Sequence, residues 1–141
     1  MGYNDLTCKL EQSMKSVVDA LGLSGVTVNT GVEEEGLALP YVICSADGMQ
    51  EELIGSGIFR LAATVAVASS ADDSTLLNHR AIVNQVFDAF LQSDIDATLS
   101  AAVNDFFVYQ VLPGGMPSSV ENRQLRNNLQ MEVVCCASDI T

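Results

Sequence analysis

Length, composition and charge set the first limits. The chain has 141 residues, of which 48% are hydrophobic and 17% are charged. That is enough apolar material for the core of one domain and too few charges for intrinsic disorder. The formal net charge of −12 argues against gripping nucleic acid, because phosphate binding depends on basic side chains. No apolar run approaches the roughly twenty residues of a membrane span, so we expect one soluble domain, 1–141, made in a cytoplasm.

The first predicted elements are a helix and two strands. Apolar residues recur at helical spacing over 5–21, with Asn4 before them as a cap and Gly22 where the helix ends. The stretch GVTVNTG then predicts a short strand. An acidic loop, EEEGLA, separates it from a second strand, LPYVICSA.

The middle of the chain predicts a strand followed by two helices. From Phe59 the apolar residues alternate as in a half-buried strand, and GSG at 55–57 marks a bulge or turn before it. Residues 71–92 form the strongest helical pattern, with Ser70 as a cap and an apolar stripe that ends at Leu91. Ser93 offers a cap to a shorter helix.

The last part predicts the strand FFVYQVL, a loop PGGMPSS and a long final strand. From Leu125 the apolar side chains occupy one face of that strand and polar ones the other. The final strand is longer than usual, so we expect one end to project and meet a neighbour. The element order predicts an α+β fold: a single domain with a mixed, mainly antiparallel sheet and helices packed on one face.

Residues that carry chemistry give no catalytic, cofactor or metal site. His79 is the only histidine and lies in a helical pattern with no signature that supplies a nucleophile. Cys8, Cys44, Cys135 and Cys136 lack paired metal-ligand spacing. The glycine-rich GSG and PGG pieces lack the lysine of a phosphate-binding loop. We therefore expect no enzyme and no cofactor.

The order of elements resembles the tail terminator family of long-tailed bacteriophages, also called tail completion or neck proteins. The resemblance rests on the opening helix, ALGLSGVTVNTG, LPYVI, FRLAATVAVASS before a helix, and the closing VENRQLRNNLQMEVVCC. It implies a virion protein that forms a ring, usually a hexamer, at the head-proximal end of the tail tube. Such a ring stops tube polymerisation and joins the tail to the head.

The resemblance also implies partners and a location. The partners are copies of the same chain, the tail tube protein and the head–tail connector protein, with DNA passing nearby without specific binding and no membrane. The location is the tail or neck of the virion, assembled in the host bacterial cytoplasm. An acidic lumen lets DNA slide, because its phosphates find few cations there.

Candidate site residues are charged. We expect Arg123 and Arg126, with Glu121 beside them, to lie in the subunit interface, where arginines donate to carboxylates of a neighbour. The candidate acceptors or lumen-facing charges are Glu33, Glu34, Glu35, Glu51 and Glu52. The simpler alternative is that both arginines are solvated on an exposed face. Replacing both arginines with Glu is expected to weaken ring assembly without unfolding the monomer.

Two other functions fit the same sequence. One is a small acidic cytoplasmic binding module, such as a type III secretion chaperone, which is usually a dimer whose chain ends on a helix. The other is a phage head-completion or connector-adaptor protein, which occupies the neck but binds on the portal side. The predicted final strand disfavours the chaperone; the sequence does not separate the two neck proteins.

Overall fold

The computed structural model describes residues 3–23, 25–31, 40–51, 55–70, 76–103, 106–121 and 124–136. Three helices and six strands make up this described part of the chain. In chain order they are α1 (Tyr3–Asp19), β1 (Thr27–Thr30), β2 (Tyr41–Glu51), β3 (Phe59–Ser70), α2 (Leu76–Phe90), α3 (Ile95–Ala102), β4 (Phe107–Pro113), β5 (Ser118–Glu121) and β6 (Gln124–Cys136).

All six strands form one sheet. The order is β1-β2-β3-β6-β4, and β5 pairs with β6 beyond the end of β4. Strand β1 is parallel to β2, and every other pairing is antiparallel. The predicted α+β class and the mixed, mainly antiparallel sheet are therefore confirmed.

The core lies between the sheet and the helices. Alternate residues of β3 and β6, such as Leu61, Val65 and Leu129, are buried in this core. The period of two in the sequence predicts this alternation. Helix α1 contacts β1 and β2, whereas α2 contacts β3 and β6. Burying each Val, Leu or Phe side chain contributes about 1.5–3 kcal/mol, so this shared apolar layer fixes which face the helices cover.

Three hydrogen bonds fasten the helices at defined positions. The buried Ser13 hydroxyl of α1 donates to the carbonyl of Leu99 in α3 at 2.6 Å. The backbone N–H of Ala46 in β2 donates to Oε2 of Glu11 at 3.0 Å. Oγ of Ser100 in α3 accepts from the backbone N–H of Val108 in β4 at 2.9 Å. These bonds give the helix layer one orientation, which apolar packing alone specifies less sharply.

Several boundaries differ from the sequence predictions. Helix α1 ends at Asp19, and Leu21 beyond it is half exposed. Leu91 lies past the end of α2 and is 42% exposed, so the predicted stripe stops at Phe90. The residue before α3 is Asp94, not Ser93, and it makes no side-chain capping bond. The predicted start of the long helix, 71–75, lies outside the described residues.

The predicted turn at GSG is confirmed. Gly55 and Gly57 have φ angles of 81° and 75°, which side chains with a Cβ rarely adopt. Carboxylate oxygens of Glu51 accept from the N–H groups of both glycines, at 3.0 and 3.1 Å. Glu51, the last residue of β2, therefore stabilises the turn that leads into β3.

Candidate subunit-contact surface

One side of β6 is covered along its whole length by the segment that precedes it. Strand β4 pairs with the C-terminal half of β6, and β5 pairs with the first residues, Gln124 to Asn127. Between them, the Gly114 N–H donates to the Gln130 carbonyl at 2.6 Å, and the Gln130 N–H donates to the Gly115 carbonyl at 2.9 Å. We call residues 107–136 the long hairpin, of which 122 and 123 lie outside the described residues.

This pairing gives the last strand partners from its own chain at the end that is expected to project and meet a neighbour. The first residues of β6 are paired on both sides, with β5 on one side and the end of β3 on the other. The predicted loop PGGMPSS ends earlier than expected, since Ser118 and Ser119 already belong to β5. The outer edge at this side of the sheet is therefore formed by residues 107–121, not by β6.

From Phe107 to Val120 that outer edge is uncharged and partly apolar. No residue from Phe107 to Val120 carries a charge, although the chain has a net charge of −12. The exposed fractions of its large apolar side chains are 45% for Phe107, 48% for Tyr109, 55% for Met116 and 67% for Val120. Protein interfaces are depleted in charge and enriched in aromatic residues and Met, so this edge has the composition of a contact surface.

The two aromatic side chains of the edge form one unit. The rings of Phe107 and Tyr109 meet edge to face, with centroids 4.8 Å apart and planes at 72°. The thiol of Cys136 donates to the Tyr109 hydroxyl at 3.6 Å. The contact with Cys136 is the largest cause that raises the pKa of Tyr109 above its ordinary value.

We call β5 and the residues of β6 that pair with it, Gln124 to Asn127, the distal half of the long hairpin. His79 of α2 connects this distal half to the helix layer. This side chain is only 2% exposed. Its Nδ1 lies 2.9 Å from Oγ of Ser69 in β3, and its Nε2 lies 2.8 Å from Oδ1 of Asn127 in β6. His79 therefore has a structural role, because both ring nitrogens are engaged by neighbouring strands.

A groove of about 390 Å³ opens between the start of α2 and the distal half of the long hairpin. Arg80 and Val83 line it from the helix, and Val120, Leu125 and Arg126 line it from the hairpin. We call it the arginine groove. Among the described residues that line it, two are arginines and none is Asp or Glu.

The structure places only some of the predicted interface residues. Arg126 lines the groove, and its Nε donates to Oδ1 of Asn128 at 3.3 Å. Glu121 ends β5 opposite Gln124. Arg123 lies outside the described residues. The interface role of these three residues stays a prediction.

The acidic candidates are mostly untested as well. Glu51 is described, and its carboxylate is engaged by Gly55 and Gly57 of its own chain. Glu33, Glu34, Glu35 and Glu52 lie outside the described residues. An acidic lumen therefore stays a prediction.

Sequence reasoning missed two features of this surface. Arg80 is exposed on α2, and nothing in the linear pattern indicates that it faces the hairpin across a groove. The uncharged run from Phe107 to Val120 was visible in the sequence, but a loop interpretation of PGGMPSS hid its continuity as a strand edge.

Two of the four cysteines are buried and have a raised thiol pKa. Burial raises the pKa of the Cys44 thiol to about 12, and burial with a smaller contribution from Cys136 does the same for Cys135. Thiols with so high a pKa are poor nucleophiles and poor metal ligands. Within the described ranges, no group of three or more His, Cys, Asp or Glu side chains is placed to hold a metal ion.

No helix in the described part of the chain has the length and apolar character needed to cross a membrane. These features define a sheet-and-helix domain with one edge that is uncharged from Phe107 to Val120 and one groove lined by two arginines.

Comparison with known proteins places the fold but not a family. No protein-family model matches the chain, and no curated protein matches it. Among solved structures it is similar to a chain of the "Virion of native gene transfer agent (GTA) particle", with a TM-score of 0.64 over 93% of this chain and 96% of that chain. The two sequences are 14% identical, so the likeness establishes a shared fold.

Proposed function

We propose that this protein is a structural component of a phage-like virion, and that it acts as a tail terminator. In that role, copies of the chain form a ring at the head-proximal end of the tail tube, end tube polymerisation and provide the surface that meets the head–tail connector. The observation that carries the proposal is the fold shared with a virion chain over nearly the full length of both proteins.

The uncharged edge supports assembly with other protein subunits. Residues 107–121 form an open strand edge, and unprotected edges of this kind pair or pack with other chains. Phe107, Tyr109, Met116 and Val120 place apolar area on that edge. A ring of identical subunits needs a heterologous contact, in which one surface meets a different surface of the next copy. The edge supplies one such surface.

The net charge supports a position around DNA rather than on it. A net charge of −12 gives a subunit that repels phosphates at long range. In a ring that surrounds passing DNA, this repulsion prevents adhesion to the duplex. Free diffusion of DNA through the ring is then compatible with tight contacts between the protein subunits.

A tube-growth assay tests the terminator role. Tail tube protein from the source phage is polymerised with increasing amounts of this protein, and tube lengths are measured in electron micrographs. The proposal predicts that mean tube length falls and that one end of each tube carries a cap. Unchanged length distributions with uncapped ends at saturating protein would contradict the terminator role.

A pull-down with the connector protein tests the proposed contact between this protein and the head–tail connector. A terminator on the tube is expected to bind the connector more tightly than the free protein does, because the ring presents many copies of one contact. Binding to the connector without any effect on tubes would instead assign the protein to head completion.

A further inference from the structure

The sheet has an unpaired strand edge on each of its two sides. Strand β1 lies at one end of the strand order, and within the described ranges it pairs only with β2. On the other side, β5 pairs with β6 alone in the part of the chain that the structure describes. An unpaired strand edge is a template for a strand of another chain. One subunit therefore carries two different surfaces for strand pairing.

At the first edge, the backbone groups of Val28 point outward. The Thr27 N–H donates to the Pro40 carbonyl at 3.1 Å, and the Gly31 N–H donates to the Cys44 carbonyl at 3.0 Å, so both N–H groups face β2. Because hydrogen-bonding groups alternate along a strand, those of Val28 face away from β2. Strand β1 carries no charge, and all four of its residues are partly exposed.

At the second edge, the backbone groups of Ser118 and Val120 point outward. The Pro117 carbonyl accepts from the Asn128 N–H of β6 at 2.9 Å, so Pro117 faces β6. By the same alternation, the groups of Ser118 and Val120 face away from β6. Residues 118–120 are uncharged and exposed, and the exposed fraction of Val120 is 67%. This edge offers both hydrogen-bonding groups and apolar area.

The two edges lie on one row of the sheet and run in opposite directions. The register aligns Val28 with Val42, Val42 with Val67, Val67 with Asn127, and Asn127 with Ser118. Strands β1, β2 and β6 run one way, whereas β3 and β5 run the other way. Rotation about an axis along the strands therefore brings β1 of a second copy antiparallel to β5, with no shift along the strands.

We infer that β5 of each subunit pairs with β1 of the next copy of this chain, with Ser118 opposite Val28. The inference rests on the proposed ring and identifies its subunit contact. In this register two outward-facing residues exchange both of their backbone hydrogen bonds. The contact joins two different surfaces, so it repeats head to tail and forms a ring when the rotation closes. A closed ring leaves neither edge unpaired.

Side chains and charge are compatible with this register. The exposed Val120 comes opposite Val26, an apolar residue that packs against the core of its own subunit. Neither Thr27–Thr30 nor the run 118–120 carries a charge. Subunits with a net charge of −12 repel one another, so a contact between uncharged strands places the least charge at the interface.

Disulfide cross-linking tests the register. Thr27 and Ser119 form the neighbouring non-hydrogen-bonded pair, whose Cα atoms lie about 4.5 Å apart, a separation that a disulfide spans. The test variant is Thr27→Cys with Ser119→Cys, in a Cys8→Ser background that removes the exposed native thiol. The purified protein is oxidised with copper phenanthroline and separated by electrophoresis without reductant.

The expected result is a ladder of covalent oligomers that extends beyond the dimer to the size of the ring and collapses on reduction. The matched control is Thr27→Cys with Leu112→Cys, which places the second cysteine on β4 and is expected to stay monomeric. Each single-cysteine variant is also expected to stay monomeric. Circular dichroism checks that all variants keep the wild-type fold.

A proline substitution tests the backbone hydrogen bonds independently of disulfides. Val120→Pro removes an N–H that points away from β6, so it leaves the pairing within the subunit intact. We expect it to raise the protein concentration at half assembly by about tenfold or more. The control is Val120→Thr, which keeps the N–H and the β-branched shape and is expected to have a clearly smaller effect. Light scattering after size exclusion measures assembly.

Four results would overturn the inference. They are a folded test variant that forms no ladder, a ladder only in the Leu112 control, dimers from Ser119→Cys alone, and equal assembly of Val120→Pro and Val120→Thr. The second gives the contact to β4, and the third gives a symmetric pairing of two β5 edges. If tubes are still capped, each of these results leaves the proposed function standing. A ladder from a protein that leaves tubes uncapped supports the contact and contradicts the terminator role.

Discussion

Nε2 of His79 lies 2.8 Å from Oδ1 of Asn127, and this contact joins the first turn of α2 to the distal half of the long hairpin. Because an amide oxygen only accepts, Nε2 donates, and in the neutral tautomer Nδ1 accepts from the Ser69 hydroxyl. One buried side chain therefore connects three elements at the base of the arginine groove.

Replacing His79 with Ala is expected to lower the free energy of unfolding by about 2–3 kcal/mol, since it removes buried volume and leaves two polar partners without a bond. Urea unfolding followed by circular dichroism measures the change. The matched control is Gln85→Ala, an exposed position of the same helix, expected to stay within about 0.5 kcal/mol of wild type. Equal stability of the two variants would contradict the anchoring role.

Replacing Gly114 with Ala is expected to disturb the long hairpin. An added Cβ would lie 3.0 Å from the backbone carbonyl oxygen of Gln130, the same oxygen that accepts from the Gly114 N–H. The expected loss is about 1–3 kcal/mol, as for other overpacked sites. Thermal unfolding by circular dichroism measures it.

Gly115→Ala is the control for that substitution. Its Cβ would meet the side-chain oxygen of Gln130 at 3.2 Å, and a flexible side chain moves away more easily than a backbone carbonyl. We expect a clearly smaller loss than for Gly114→Ala. A larger loss at Gly115 would show that the pairing near Gln130 differs from the one described.

Thiol labelling is expected to distinguish Cys8 from the buried cysteines. Cys8 is exposed, whereas Cys44 and Cys135 are buried with pKa values raised to about 12. Since the thiolate is the reactive form, native protein at pH 8 should show one fast thiol with a chromogenic disulfide reagent, and Cys8→Ser should remove it. Fast labelling of Cys44 or Cys135, located by peptide mapping, would contradict the described core.

Glu11 gives a defined pH dependence. Burial raises the pKa of its carboxyl above the ordinary value of 4.5, with the bond from Ala46 opposing and Asp47 adding. A folded-state pKa above the unfolded one means that this group's contribution to stability is present in acid and is lost as pH rises through the folded pKa. Wild type should therefore lose stability relative to Glu11→Gln between pH 4 and pH 7.

Urea midpoints of both proteins across that pH range measure the effect. The Gln side chain keeps an oxygen that accepts from the Ala46 N–H but carries no proton that titrates, so it isolates the ionisation of Glu11. A constant difference between the two proteins, or one of opposite slope, would contradict the assigned direction.

The sequence predicts the layers of this fold better than its edges. Alternation from Phe59 and from Leu125 predicts two central strands and the faces they bury, because burial on one side imposes a period of two. The short strand Ser118–Glu121 is not predicted from the sequence, because its Pro, Gly and Ser neighbours favour a loop. Short edge strands depend on that partner more than on their own residues.

The candidate surface was predicted only in part. Arg126 was expected at a contact from its position on the polar face of β6. Arg80 was not, because its relation to Arg126 is set by the packing of α2 over the hairpin, which depends on His79, Ser69 and Asn127 together. Contacts between residues so distant in sequence are fixed by tertiary structure and leave no local pattern.

Negative-stain electron microscopy of the purified protein, alone and mixed with tail tubes from its source phage, tests the central claim most directly. The account predicts closed rings in solution, or a cap on one end of each tube. A compact dimer that leaves both tube ends bare would contradict it and would favour a cytoplasmic binding module instead.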